Sequence, residues 1–232
     1  MLTLKFQKQF NDTIWKIQLD AMLPYMAVLL RNKEDKKGKI TAIHLPSGSF
    51  VDLSIEVDWI ADLIKIHQGC LFVQFYPNEA LPKACGIACY DAATGKQHWI
   101  NYTDTFYGFH QDSVLTYSSK IEPKTIISKD LHTGQPIHSE AVKIKEAALQ
   151  FPQALNDQEE SLSTIAYIIK THYELADGIY TQYLRVLNQE QKIVVEDILN
   201  SSKELLRGDS FFVFDNQLVY IKHKQELKIY AL

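Results

Sequence analysis

Three segments of this chain repeat one another, and the distance between them constrains its fold more than any other feature. The clearest copy runs Gly86-Ile87-Ala88-Cys89-Tyr90-Asp91-Ala92-Ala93-Thr94-Gly95-Lys96-Gln97-His98-Trp99, a strand, a tight turn closed by Thr-Gly and a second strand. It recurs from Ile126 to Ile137 and, more weakly, from Ile40 to Phe50. Glycine suits the closing position because it takes a positive φ without steric cost. Gly48, Gly95 and Gly134 stand 47 and 39 residues apart. That is the spacing of a four-stranded propeller blade, not of a leucine-rich or helical repeat.

A second periodicity has the same phase. An acidic residue precedes an apolar or aromatic pair at Asp12, Asp58, Asp104 and Asp209, at intervals of 46, 46 and 105 residues. The last interval leaves room for a degenerate copy, best placed at Glu146. Each acidic start is followed by an apolar strand: Tyr25 to Leu30, Cys70 to Tyr76, Ser113 to Tyr117, Thr164 to Ile169 and Gln217 to Ile221. The expected fold is therefore all-β, a β-propeller of about five four-stranded blades forming a single domain over residues 1–232. The last unit ends on its third strand, Leu227 to Leu232. Leu2-Thr3-Leu4-Lys5-Phe6 alternates with a period of two and has no other partner, so it is expected to complete the last blade and remove an open sheet edge. Residues 141–161 fit least well, reading either as part of the fourth blade or as an insertion in it, and Pro152 argues against a long helix there.

Composition narrows the function. A net charge of −4 and a pI near 6.1 give no concentrated basic face for nucleic acid or an anionic membrane. Lys33, Lys36, Lys37 and Lys39 are interrupted by Glu34 and Asp35 and read as a solvated hairpin tip. The first ten residues alternate where a signal peptide needs a continuous apolar run. No stretch approaches the roughly 18 apolar residues of a membrane span. Taking Met1 as the native start, a cytoplasmic location is expected. Cys70, Cys85 and Cys89 are odd in number and fall within one short window, so they read as core thiols. His67 and His98 lie at no recognisable metal-ligand spacing, and no metal is expected.

Tyr90 to Lys96, with Trp99, resembles the blade repeat of quinoprotein-type β-propellers. More particularly it resembles an uncharacterised bacterial family of small propeller-like domains. The motif covers about half the chain and marks architecture. The cofactor ligands and adjacent cysteines of quinoprotein dehydrogenases are absent, so the resemblance implies no cofactor and no dehydrogenase activity.

The sequence lacks a phosphate-binding Gly-x-x-x-x-Gly-Lys-Ser/Thr loop, a Gly-x-Gly-x-x-Gly fingerprint and a Gly-x-Ser-x-Gly elbow. His44, His98 and His132 fall around the repeated turns and read as satisfied turn or surface residues. The acidic starts form the one constellation with chemical potential. At the mouth of a propeller channel Asp12, Asp58, Asp104 and Asp209, with Glu146, would converge as a ligand-binding ring for a cation or a sugar. The structural reading is that each Asp caps its own loop. Trp15, Trp59, Phe106, Tyr107, Phe211 and Phe212 follow the acids and are expected to pack between blades. The preferred function is a monomeric, non-catalytic binding or interaction module for an unknown protein or small polar ligand, without nucleic acid or membrane. The alternative is a glycoside hydrolase working through carboxylates of the ring, with Asp12, Asp58 and Asp104 as acid, base or nucleophile.

Overall fold

The computed structural model describes residues 2–47, 49–78, 83–118, 120–121, 124–141, 161–164, 166–203 and 211–232. Among these there is no helix. The strands run β1 (Thr3–Gln9), β2 (Thr13–Leu19), β3 (Tyr25–Asn32), β4 (Lys37–His44), β5 (Ser49–Asp58), β6 (Asp62–His67), β7 (Cys70–Phe75), β8 (Gly86–Asp91), β9 (Gln97–Asn101) and β10 (Asp104–His110). They continue as β11 (Ser113–Ser118), β12 (Thr125–Asp130), β13 (Pro136–Ala141), β14 (Ser161–Ser163), β15 (Tyr167–Ala176), β16 (Ile179–Asn188), β17 (Ile193–Ser202), β18 (Phe211–Phe214), β19 (Gln217–Lys222) and β20 (Glu226–Ala231).

These strands make five antiparallel four-stranded sheets among the described residues: β2–β5, β6–β9, β10–β13, β14–β17, and β18–β20 with β1. The fold class is thus an all-β propeller of five blades. The alternating N-terminal segment takes the predicted place: β1 lies antiparallel to β20, with Thr3 opposite Ala231 and Gln9 opposite Glu226. Hairpin chemistry sets the registers. Gln68-Gly69 and Asp215-Asn216 link their strands as two-residue turns with φ positive at both positions. Asp177-Gly178 does the same between β15 and β16. This is the turn whose twist matches that of the flanking strands. The basic tip also folds as expected: Lys33 to Lys36 are exposed, and Asn32 Oδ1 accepts the N–H groups of Glu34 and Asp35, each at 3.0 Å.

The chain divides into two compact units. Trp15–Ala148 carries the first three blades, apart from the first residues of β2; Met1–Ile14 with Leu149–Leu232 carries the last two. In the larger unit Met26 to Leu29 on β3 and Cys70 to Val73 on β7 are wholly buried. β7 is covered on both faces, by the first blade and by the third, so it reads as a continuous apolar run and not as alternation. Ala27, Leu29 and Ile40 pack on Leu63, Leu71 and Val73 between the first and second blades. Phe72, Ile87, Cys89 and Trp99 pack on Val114 and Leu131 between the second and third. In the smaller unit Ile169, Leu184 and Leu199 meet Leu218 and Tyr220. Most of the expected insertion, residues 142–160, lies outside the described residues, as do Gly48, Glu146 and Asp209.

Candidate functional site

The repeated turns are built by their aspartates. Asp91 Oδ1 accepts the N–H groups of Ala93 and Thr94 at 3.1 and 2.7 Å and the Thr94 hydroxyl at 2.6 Å. Asp130 Oδ1 does the same for His132 at 3.1 Å and for Thr133 at 2.7 Å (N–H) and 2.9 Å (hydroxyl). Gly95 and Gly134 close the turns at φ 73° and 66°. The Thr133 donors hold the Asp130 carboxyl below its ordinary range. At Asp91 burial pushes the other way, and the Thr94 donors outweigh it. Each turn is pressed onto the outer strand of the preceding blade. A Cβ on Gly95 would lie 2.5 Å from the Leu53 carbonyl oxygen, and one on Gly134 would lie 2.6 Å from Trp99 Cδ2. The Trp99 indole Nε1–H also donates to the Leu131 carbonyl at 2.7 Å, so this turn is bolted to β9.

The acidic starts share a sequence phase but not a setting. Asp104 opens β10 and is 4% exposed; its carboxylate receives the Lys129 ammonium and, at 3.2 Å, the Thr116 hydroxyl. Asp58 is the last residue of β5, four positions ahead of β6, and is exposed. Its Oδ1 accepts the Ile60 N–H at 3.1 Å. Asp12 immediately precedes β2 in the smaller unit. Two acids outside the period matter as much for the packing. Asp20 is fully buried and accepts N–H groups from Met22 at 2.9 Å, Leu23 at 3.2 Å and, from the next blade, Gly69 at 2.7 Å. Asp197 on β17 receives Lys222 at 2.7 Å, Lys228 at 2.6 Å and the Tyr220 hydroxyl at 3.0 Å, all from the fifth blade.

The aromatic positions divide. Phe106 and Phe211 pack against cores as expected. Trp15 does not: its position on β2 leaves it 55% exposed. The Arg31 guanidinium lies 4.1 Å from the centroid of the Trp15 ring and 5.3 Å from that of Trp59. Arg31 Nη2 donates to the Ala61 carbonyl at 3.0 Å, and Lys16 pairs with Asp62 at 2.7 Å beside it. Burial pulls Arg31 below the ordinary guanidinium range, opposed by Asp62, yet such a group stays charged. The result is a braced Trp–Arg–Trp stack with a carboxylate, Asp58, next to Trp59 in the chain.

The residues most suited to holding a metal are Cys70, His98 and His132, whose ligand atoms all lie within 4.8 Å of one another. Cys70 opens β7, His98 lies on β9, and His132 is in the turn bolted down by Trp99. Cys70 Sγ is 3.5 Å from His132 Nδ1. A hydrogen bond from Cys89 draws the Cys70 thiol below its ordinary range against the effect of burial, and Cys89 itself is pushed up. Sequence spacing missed this cluster because 62 positions separate Cys70 from His132.

Residues 19–99 match a family model described as a domain of unknown function, DUF4905. That match, over about a third of the chain, agrees with the resemblance to an uncharacterised family. Among solved structures, the chain is similar to BamB from Moraxella catarrhalis, at 12% identity and a TM-score of 0.42, over 98% of this chain and 86% of that one. It is similar to an acylaminoacyl peptidase of Pyrococcus horikoshii (12% identity, TM-score 0.37), covering 95% of this chain but only 38% of the peptidase. The β-propeller domain of the trilobed protease of Pyrococcus furiosus gives 12% identity and a TM-score of 0.39, over 97% and 70%. No curated protein matches the chain significantly.

Proposed function

We propose that the chain is a binding module that recognises a protein partner through the Trp15–Arg31–Trp59 surface of its first blade. The observation that carries this reading is Trp15, 55% exposed yet held in place by a guanidinium 4.1 Å from its ring. Leaving that much indole in water costs hydrophobic free energy that contact with a partner would recover. Braced tryptophan and arginine side chains are also the residue types that dominate binding energy at protein interfaces, where rigidity lowers the entropy lost on association. Lys16–Asp62 and Asp58 supply a polar rim. The glycoside-hydrolase alternative is less well supported, because Asp104 would have to give up a buried ammonium partner before it could exchange protons with a substrate.

The test uses the whole chain as bait beside Trp15→Ala, with any captured protein then purified and titrated directly. A partner whose Kd rises about thirtyfold or more on removing Trp15 supports the reading, since interface hot spots cost at least ~2 kcal/mol. A partner that binds both forms equally would overturn it. Turnover of a glycoside panel that disappears in Asp58→Asn would replace it with the hydrolase.

A further inference from the structure

We propose that Cys70, His98 and His132 form a zinc site joining the second blade to the third. The donor set is one thiolate sulfur and two imidazole nitrogens, a combination Zn²⁺ accepts readily. With Zn–S about 2.3 Å and Zn–N about 2.0 Å, tetrahedral angles separate sulfur and nitrogen by roughly 3.5 Å. The Cys70 Sγ to His132 Nδ1 distance is 3.5 Å. The His98 and His132 rings lie edge to face with centroids 5.2 Å apart, so a nitrogen of each reaches the same space.

Two further observations separate this cluster from incidental packing. His98 Nε2 is buried without a hydrogen-bond partner; the Asp91 carboxylate stands 3.9 Å away, a contact that is attractive only if the imidazole is charged. A buried imidazole nitrogen left unpaired is costly, and coordination of a metal through it would remove that cost. The second observation is that all three residues break the blade repeat. The two turns share Asp, Thr and Gly, yet His132 stands where the earlier copy has Ala93. His98, three residues past Gly95, corresponds to Ile137 past Gly134. Cys70 pairs with Asp91 as Ser113 pairs with Asp130. The blade repeat therefore dictates none of the three, and the Trp99 bolt between β9 and the Leu131 carbonyl brings them together. Cys70 is buried and His132 exposed, which leaves a fourth coordination position on the solvent side for water.

The experiment is metal titration of the reduced full-length chain. Zn²⁺ affinity is measured by competition with a chromophoric chelator, and Co²⁺ serves as a spectroscopic replacement. The expected result is one equivalent of Zn²⁺ and, with Co²⁺, a near-ultraviolet thiolate charge-transfer band with intense visible bands of tetrahedral type. Cys70→Ser abolishes the charge-transfer band, and His98→Ala and His132→Ala each weaken Zn²⁺ by at least about tenfold. Cys85→Ser, which alters the half-exposed thiol outside the cluster, changes neither. His132 is exposed, so His132→Ala remains folded and decides the matter even if Cys70→Ser does not fold. Absence of a one-equivalent site overturns the proposal, as does affinity unchanged in His132→Ala or a cobalt band that responds to Cys85→Ser alone. Stoichiometric Cu⁺ binding without Zn²⁺ binding overturns the choice of zinc.

Discussion

Single carboxylates carry an unusual share of the packing between strands and blades. Asp197 shows how. Burial alone would raise its pKa, but donation from Lys222, Lys228 and Tyr220 outweighs burial and holds the carboxyl below its ordinary range. A depressed folded pKa adds stability that is complete above the unfolded value, about 3.9, and is lost as pH falls through the folded one. Urea melts of Asp197→Asn should show a loss of about 3 kcal/mol at neutral pH, because two lysines of the fifth blade lose their anion. The difference from wild type should shrink below about pH 4. Asp104 and Lys129 are almost wholly buried as a pair, with side chains 6% and 7% exposed. Lys129→Met leaves the carboxylate unpaired and should cost about 3–5 kcal/mol in the same measurement. Removing both charges together should cost less than this single change, which a double-mutant cycle would read.

At the scale of elements, the Asp-x-x-Thr-Gly turn acts as a wedge between blades. Gly134 combines a φ of 66° with a Cβ position 2.6 Å from the Trp99 ring, whereas Gly178 has a φ of 74° and open space around it. Gly178→Ala should therefore cost only the backbone strain, about 1–2 kcal/mol. Gly134→Ala should cost clearly more, about 3 kcal/mol or above, because Trp99 must leave its seat and its bond to the Leu131 carbonyl. Thermal melts with Trp99 fluorescence would separate the two, since only Gly134→Ala should change the tryptophan environment.

At the scale of the whole chain, the N-terminal strand completes the last blade. β1 supplies the fourth strand of the last blade by pairing with β20, while Phe10 and Ile14 N–H groups donate to Gln225 and Lys224 carbonyls at 2.8 and 2.7 Å. Deleting residues 1–10 leaves β20 with an unpaired edge, a template for intermolecular pairing. The truncated chain should melt at lower temperature and elute as higher oligomers in size-exclusion chromatography. Lys5→Ala, on an exposed position of β1, should do neither.

Much of this was legible from the chain alone. Strands β3, β7, β11 and β19 begin at the residues their apolar runs predict, and the pairing of β1 with the C-terminal strand followed from alternation plus a missing partner. These features are local or periodic, and backbone geometry translates them directly: glycine at positive φ makes a turn, and alternation makes a face. Other features were out of reach of any period. Asp58 and Asp104 share a phase yet meet a turn N–H and a buried lysine, because the neighbouring side chains differ while the spacing does not. Trp15 follows an acid and was expected between blades, yet it is 55% exposed. The Cys70, His98 and His132 cluster lies furthest from the sequence signal, since its members are those that depart from the repeat. Repetition determined the blades. Only the tertiary structure, by laying one blade's turn against the strand of another, decided which unrepeated side chains meet.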